Sequence, residues 1–178
     1  MVLKLLKEVL RVGDATIPYP FVPAEVSTGF RGKPQHDPQL CMACAACAIA
    51  CPPNALTLTT DTDQGLITWS IFYGRCIFCG RCEEVCPTGA ITLSQDFELA
   101  VMNKADLFEK ADYQLAACSR CGTFFAPVKE LEYVLALLEQ AGLSGEDLEE
   151  RRALLGICPT CKREIDITRL VALNQEVV

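Results

Sequence analysis

The side chains with chemical reach in this sequence are its cysteines. Twelve of them stand beside a single histidine, His36. Eight fall into two runs, Cys41, Cys44, Cys47, Cys51 and Cys76, Cys79, Cys82, Cys86, each spaced C-x2-C-x2-C-x3-C and followed by proline. A cubane iron–sulfur cluster needs four soft thiolates at the corners of a compact body, and this spacing supplies them. Three cysteines at i, i+3 and i+6 on a wrapping loop reach three irons of one cube. The fourth, expected to start a helix that points away, reaches the other cube. The expected ligand sets are therefore crossed. Cys41, Cys44, Cys47 and Cys86 hold one [4Fe–4S] cluster, and Cys76, Cys79, Cys82 and Cys51 hold the second. Adjacent cubes make a path for single electrons. Two zinc sites or buried free thiols are the plain alternative, and the doubling of the run argues against it.

The other four cysteines form two C-x2-C knuckles, Cys118/Cys121 in CSRCG and Cys158/Cys161 in CPTCK. Paired knuckles close a tetrahedral S4 site on one metal ion. The spacing suits a mononuclear iron or a zinc equally, and a redox disulfide is the simpler alternative. No third cysteine follows at i+6, which argues against a third cube. His36 lies between Gln35 and Asp37 in a proline-bounded stretch and reads as an exposed loop residue; tuning of the Cys41 cluster or a proton relay is its functional reading. Arg75 and Arg81 flank ligands, either stabilising reduced clusters or standing as solvated surface charges. Ala43, Ala45, Ala46, Ile49, Ile77, Phe78 and Val85 surround the ligands with low dielectric, which disfavours added negative charge. Backbone N–H groups donating to sulfur favour it. Glu83 and Glu84 are sequence neighbours on a helix and do not face each other. The sequence offers no acid/base pair, no nucleophile beside a base and no phosphate-binding glycine loop, so no catalytic residue is expected.

The elements that must position these residues come from an internal repeat with an offset of 35. CMACAACAIACPPNALTL and CIFCGRCEEVCPTGAITL share eight of 18 aligned positions, enough to predict the same ligand loop, short helix and strand in each half. Between them, LTLTT and LITWSIFY flank DTDQG and predict a β-hairpin with a four- or five-residue loop. MVLKLLKEVLRV has Lys4, Lys7, Glu8 and Arg11 on one side and apolar residues elsewhere, an amphipathic helix that Gly13 ends. In the tail, PVKELEYVLALLEQAG and GEDLEERRALL predict a helical hairpin, the second helix capped by Ser144 and ended by Gly156, that brings the knuckles together. The fold class is α+β: a bacterial two-[4Fe–4S] ferredoxin-like core, an N-terminal amphipathic helix and a mostly helical C-terminal extension carrying the four-cysteine site. The expected domains are 1–40, a helix and irregular arm; 41–94, the two-cluster core; and 95–178, the extension.

Composition narrows the function class. The chain is long for a disulfide scaffold, charged residues interrupt residues 1–12 against a signal peptide, and no run reaches the roughly 18 apolar residues of a membrane span. A reducing compartment follows, so the cysteines read as thiolate ligands. The formal charge is −7, and each tetra-thiolate site would deepen it. Such a surface repels nucleic acid and suits a protein partner.

The segment from FRGKP through both cysteine runs to FELAV and NKADLF resembles the two-cluster subunit of respiratory complex I and its hydrogenase relatives. With the tail knuckles CSRCG and CPTCK, it looks like the ferredoxin-like iron–sulfur subunits of bacterial formate hydrogenlyase (hydrogenase-3 or hydrogenase-4 type). All eight run cysteines match that pattern position by position. The resemblance implies a non-catalytic electron-transfer subunit. Its electrons would come from a multi-cluster iron–sulfur subunit on the formate dehydrogenase side and pass to the small subunit of a [NiFe]-hydrogenase, beside the large subunit and membrane-arm subunits. It further implies a peripheral place on the cytoplasmic side of the inner membrane. An equivalent subunit of a complex I-like oxidoreductase, a freely diffusing ferredoxin and a zinc-ribbon module are the competing readings. The N-terminal helix and long tail count against a shuttle, and the acidic charge against a nucleic-acid module.

Overall fold

Strict alternation of apolar residues in LITWSIF makes a strand with one buried face. In this computed structural model, which describes residues 2–14 and 16–176, β2 (Leu56–Asp61) pairs antiparallel with β3 (Leu66–Phe72), from Leu56↔Ile71 to Asp61↔Leu66. Ile67, Trp69 and Ile71 point inward. The connection is a four-residue loop in which Asp61 Oδ1 accepts from the N–H groups of Asp63 and Gln64, an Asx-type turn. The predicted hairpin is therefore present.

The repeat is visible as matched elements. α2 (Ala46–Ile49) precedes β2, and α3 (Arg81–Val85) precedes β4 (Ile91–Leu93). One expectation is corrected here. The fourth cysteine of each run ends a helix and does not start one: Cys86 is the C-cap of α3 in extended conformation, and Cys51 follows the cap of α2. The cause is the next residue, since a proline disfavours helical conformation in the residue before it.

Three strands lie where irregular or helical chain is expected. β1 (Pro34–His36) pairs antiparallel with β4, with Pro34 as the first residue of an edge strand, where its missing N–H costs nothing. In the extension β5 (Phe108–Ala117), the longest strand among the described residues, follows a short 3-10 helix (Lys104–Leu107) and lies ahead of every α-helix there. It pairs with β3 (Leu66↔Gln114 to Phe72↔Phe108), and β6 (Phe124–Pro127) pairs with β5 across a register shift at Ala116/Ala117. The resulting sheet has the order β2-β3-β5-β6. The helices follow: α4 (Val128–Gln140), α5 (Glu146–Leu155) and α6 (Pro159–Glu176). Gly145, not Ser144, is the N-cap of α5, and no side chain caps that helix.

Leu56, Ile67, Trp69, Ile71, Tyr73, Ile91, Tyr113 and Leu115 form the core, against which Cys41, Cys47, Cys51 and Cys86 pack. Burying one side chain such as Ile71 stabilises by about 1.5–3 kcal/mol. The ion pairs among the described residues are exposed and worth about 0–1 kcal/mol each, so apolar packing holds this fold.

The chain divides into two compact units, Met1–Phe30 and Arg31–Val178. The first contains α1 (Val2–Val12), ended by Gly13 at φ 63°, whose N–H donates to the Val9 carbonyl at 3.1 Å. Met1 of the predicted helix and the last two residues of the predicted tail lie outside the described residues. No described helix is long and apolar enough to cross a membrane.

Candidate iron–sulfur and metal centres

Each cysteine run wraps a hollow, and both halves build it with the same backbone. Ala43, Ala45 and Asn54 have φ of 59°, 65° and 50°. Their partners 35 residues on, Phe78, Gly80 and Gly89, have 55°, 79° and 66°. A left-handed alanine costs about 1–2 kcal/mol, so this conformation is imposed by the loop. It turns successive N–H groups toward the sulfurs. Ala43 N donates to Cys41 Sγ at 3.4 Å and Phe78 N to Cys76 Sγ at 3.4 Å. Ala55 N reaches Cys51 Sγ at 3.3 Å and Ala90 N reaches Cys86 Sγ at 3.2 Å.

The two hollows mix the runs. Cys41, Cys44, Cys47 and Cys86 line the first, with His36, Trp69, Thr88 and Ile91 among its walls. Cys51, Cys76, Cys79 and Cys82 line the second, with Pro34, Pro53, Leu56 and Ile71. Thiol electrostatics follow the same division. Burial pushes Cys47 up, the Trp69 side chain pulls it down, and Cys41, Cys44 and Cys86 push it up again. Burial likewise raises Cys76, opposed by the Phe78 N–H and reinforced by Cys51 and Cys79. Cys82 is pushed up to about 11, chiefly by burial, and feels both Cys76 and Cys47, one sulfur from each hollow. Burial opposes ionisation of Cys86, but hydrogen bonds from Thr88 and from the N–H groups of Ile91 and Ala90 outweigh it.

The first hollow has features that a four-sulfur inorganic guest would satisfy. Trp69 is 1% exposed, yet its Nε1–H has no hydrogen-bond partner, and neither has the buried Nδ1 of His36. Buried donors are rarely orphaned without a reason. A cluster held by thiolates places acceptors beside such groups, so the residues fit the cofactor their spacing predicts.

His36 is not the exposed loop residue expected from sequence. It ends β1, stacks on Trp69 with ring centroids 3.8 Å apart, and meets the Tyr113 hydroxyl through Nε2 at 3.3 Å. Burial lowers its pKa against the raising influence of Glu109 and Asp37. Tyr113 is raised by burial and by its hydrogen bond to Cys41. Sequence reasoning also missed Pro34, Trp69, Ile71 and Thr88 as wall residues. Arg75 donates to the Asn54 carbonyl at 3.4 Å, and exposed Arg81 pairs with Glu84 at 2.7 Å.

FRGKP acquires a structural meaning. Arg31 donates to the Cys79 carbonyl at 2.9 Å. At Gly32 the chain crosses so close to the Asp96 and Ser94 carbonyls that a Cβ would collide with them. Lys33 lies over the Tyr73 ring at 4.8 Å. On the other side, Lys129 of α4 donates to the carbonyls of Pro38 and Gln39 at 2.7 and 2.9 Å, just before the first run.

The tail knuckles converge as predicted. The sulfurs of Cys118, Cys121, Cys158 and Cys161 all lie within 4.8 Å of one another. A tetrahedral ion with metal–sulfur bonds of about 2.3 Å needs sulfurs about 3.8 Å apart, and Cys121 and Cys158 are at 3.7 Å. Cys118 ends the β5 side of a turn closed by Gly122 at φ 74°, and Cys158 precedes Pro159 at the start of α6. The Cys158 N–H donates to Cys118 Sγ at 3.2 Å and, with the Cys121 N–H, lowers Cys118 to about 6. Burial and the neighbouring thiols push Cys161 up to about 12. Thiolate ligation of a cation there would release the thiol protons.

Residues 40–90 match the 4Fe-4S dicluster domain family. An archaeal respiratory membrane complex, the membrane-bound sulfane sulfur reductase, contains a chain with 29% identity and a TM-score of 0.45; the match covers 58% of this chain and little more than half, 56%, of that one. Formate hydrogenlyase subunit 6 of Escherichia coli (strain K12) is 48% identical over 159 residues, which are 89% of this chain and 87% of that protein. Identity of that degree, carried through both cysteine runs into the extension, places the chain in the family of formate hydrogenlyase subunit 6.

Proposed function

We propose that this chain is a two-cluster electron relay in a membrane-bound complex of the formate hydrogenlyase type. The observation that carries the reading is the composition of the two hollows, each lined by three cysteines of one run and the fourth of the other. Cys41, Cys44, Cys47 and Cys86 hold one [4Fe–4S] cluster, and Cys76, Cys79, Cys82 and Cys51 the other. Bound there, the clusters supply one-electron reduction and oxidation. The chain's own residues orient sulfur through the four N–H donors and keep water out with Trp69, Ile71 and Ile91. Cys82, which senses the charge of Cys47, stands where the two sites adjoin. The relay carries no catalytic residue of its own.

Cys118, Cys121, Cys158 and Cys161 hold one structural zinc or iron that ties β5 and β6 to α6. On this reading residues 41–94 are the cluster core, 95–178 the extension that braces it, and 1–40 an arm toward partners. The name of the relative supports a place in a formate hydrogenlyase-type complex; the partners proposed from the sequence resemblance are a multi-cluster iron–sulfur subunit as donor, the small subunit of a [NiFe]-hydrogenase as acceptor, beside its large subunit, and membrane-arm subunits, at the cytoplasmic face. The exposed apolar side chains of α1, Leu3, Leu6 and Leu10 among them, are surfaces that such partners would cover. Purification of the native complex, with its subunits identified and its iron counted, tests the reading. A chain recovered alone, or loaded with fewer than two cubes, would overturn it.

A further inference from the structure

The internal repeat makes the two cluster sites nearly equivalent in backbone, so any difference between them must come from side chains. The N–H donors to sulfur match: Ala43 and Ala90 serve the first site, Phe78 and Ala55 the second, all within 3.2–3.4 Å. Potential differences from these four bonds cancel. The walls do not match. β3 sends Trp69 to the first site and Ile71, two residues on and on the same face, to the second. β1 sends His36 to the first and Pro34 to the second. At the repeat-related positions 53 and 88, the first site has Thr88, its Oγ1 3.7 Å from Cys86 Sγ, and the second has Pro53. At three matched places a polar side chain faces one site and an apolar one faces the other.

Among these, Trp69 Nε1 and His36 Nδ1 are both left without a partner, and only the indole nitrogen is a donor in every protonation state. The indole is buried, its Nε1–H is unsatisfied, and its flat face is fixed by the stacked His36 ring. Trp69 lines the same hollow as Cys41, Cys44, Cys47 and Cys86. We infer that the Trp69 Nε1–H donates to a sulfur of the loaded first site, and that this bond, with no counterpart at Ile71, makes the cluster of Cys41, Cys44, Cys47 and Cys86 the first of the two to be reduced. The inference rests on the two-cluster reading above. One electron added to a cluster puts one more negative charge on its sulfurs, and a donor aimed at sulfur stabilises that form.

Opposing charges exist around the second site. Arg31 bonds the Cys79 carbonyl, Arg75 the Asn54 carbonyl, and Arg81 lines the hollow. These hydrogen bonds are exposed, Arg81 is 58% exposed and neutralised by Glu84, and water and salt screen such charges. The indole N–H is 1% exposed at the residue level and has no water to compete with it. The buried dipole therefore outweighs the surface cations in setting the order of reduction.

Trp69 is the chain's one tryptophan, so feeding ¹⁵N-indole-labelled tryptophan marks this nitrogen alone. The full-length chain with both clusters is titrated with dithionite through mediators and followed by EPR. Pulsed EPR at partial reduction is expected to show ¹⁵N coupling on the first signal to appear. Trp69→Phe, with its iron content unchanged, is expected to lower the one-electron reduction constant of that signal about threefold to tenfold, about 28 to 59 mV, and to leave the second signal in place. Coupling on the later signal, or on neither, would overturn the inference, and so would a fully loaded Trp69→Phe chain with unmoved potentials. If Trp69→Phe fails to load, the labelled wild-type chain decides alone. A wild-type chain that binds fewer than two cubes refutes the two-cluster reading itself, which the iron count distinguishes from a failure of the indole bond.

Discussion

Replacing Cys51 by alanine separates crossed from uncrossed ligation. Cys51 follows α2 of the first run, but its sulfur lines the hollow of the second. The substitution therefore strips the site of Cys76, Cys79 and Cys82 of one thiolate in four. A cube with three thiolates either sheds one iron as a [3Fe–4S] form or is lost whole, so the chain should fall from about eight irons to between about seven and four. There is a local cost as well. The Ala55 N–H, buried with its residue at 3% exposure, loses its acceptor, and an orphaned buried donor costs about 1–3 kcal/mol. The assay reads the cysteines directly. The anaerobic chain is alkylated under native conditions and each cysteine is scored by peptide mass spectrometry. Where the cube is lost whole, Cys76, Cys79 and Cys82 should become reactive. Where three irons remain, those cysteines stay bound and the EPR signal of a [3Fe–4S] form marks the damaged site. In both cases Cys41, Cys44, Cys47 and Cys86 stay protected with their cube intact. Cys86→Ala should give the mirror image. If Cys51→Ala instead exposes Cys41, Cys44 and Cys47, each run keeps its own cube and the reasoning from the hollows is wrong.

Three further outcomes are expected. Cys158→Ser removes one of four converging sulfurs, so metal analysis should lose the one non-cubane zinc or iron, thermal stability should fall, and cubane EPR signals should persist in chain that still folds. Gly80→Ala, at φ 79° and with its Cβ 3.2 Å from Leu93, should destabilise by about 1–2 kcal/mol in denaturant titrations; Ala45→Gly, at the repeat-related position, should stabilise by a smaller amount. Deleting residues 1–12 should leave both cluster spectra unchanged but weaken co-purification with hydrogenase subunits and lower formate-dependent hydrogen evolution, whereas full assembly without them would exclude α1 from docking.

The ligand loops were legible because their chemistry depends on spacing along the chain. Three sulfurs at i, i+3 and i+6 must fall on one wrapping loop, and a duplicated run implies a duplicated loop. The knuckles were legible for the same reason. β5 was not. FEKADYQLAA carries Glu109, Lys110 and two adjacent alanines, all good helix formers, and these mask the alternation of Ala111, Tyr113 and Leu115 that faces the core. Tertiary pairing with β3 overrides that preference. His36 was misread because the residue that orients it, Trp69, lies 33 positions away, and no local pattern announces a stacked pair. Thr88 and Pro53 occupy one aligned position of the repeat; what each faces depends on how the halves close on each other.

The extension is built into the walls of the cluster core. A ferredoxin-like hairpin ends with β3 presenting a free edge, and an unpaired edge recruits other strands. Here β5 occupies that edge along all seven residues of β3. From this one strand Tyr113 meets His36 at the first hollow, and Glu109 accepts from Tyr73, whose hydroxyl also donates to the carbonyl of Pro34 at the second. The same strand runs on through Ala117 into Cys118. The four-sulfur site thus pins the far end of the element that braces both hollows. On the proposed reading a metal bound there would set the rigidity of the walls and not the path of the electron, which is why its loss should lower stability before it alters either cubane spectrum.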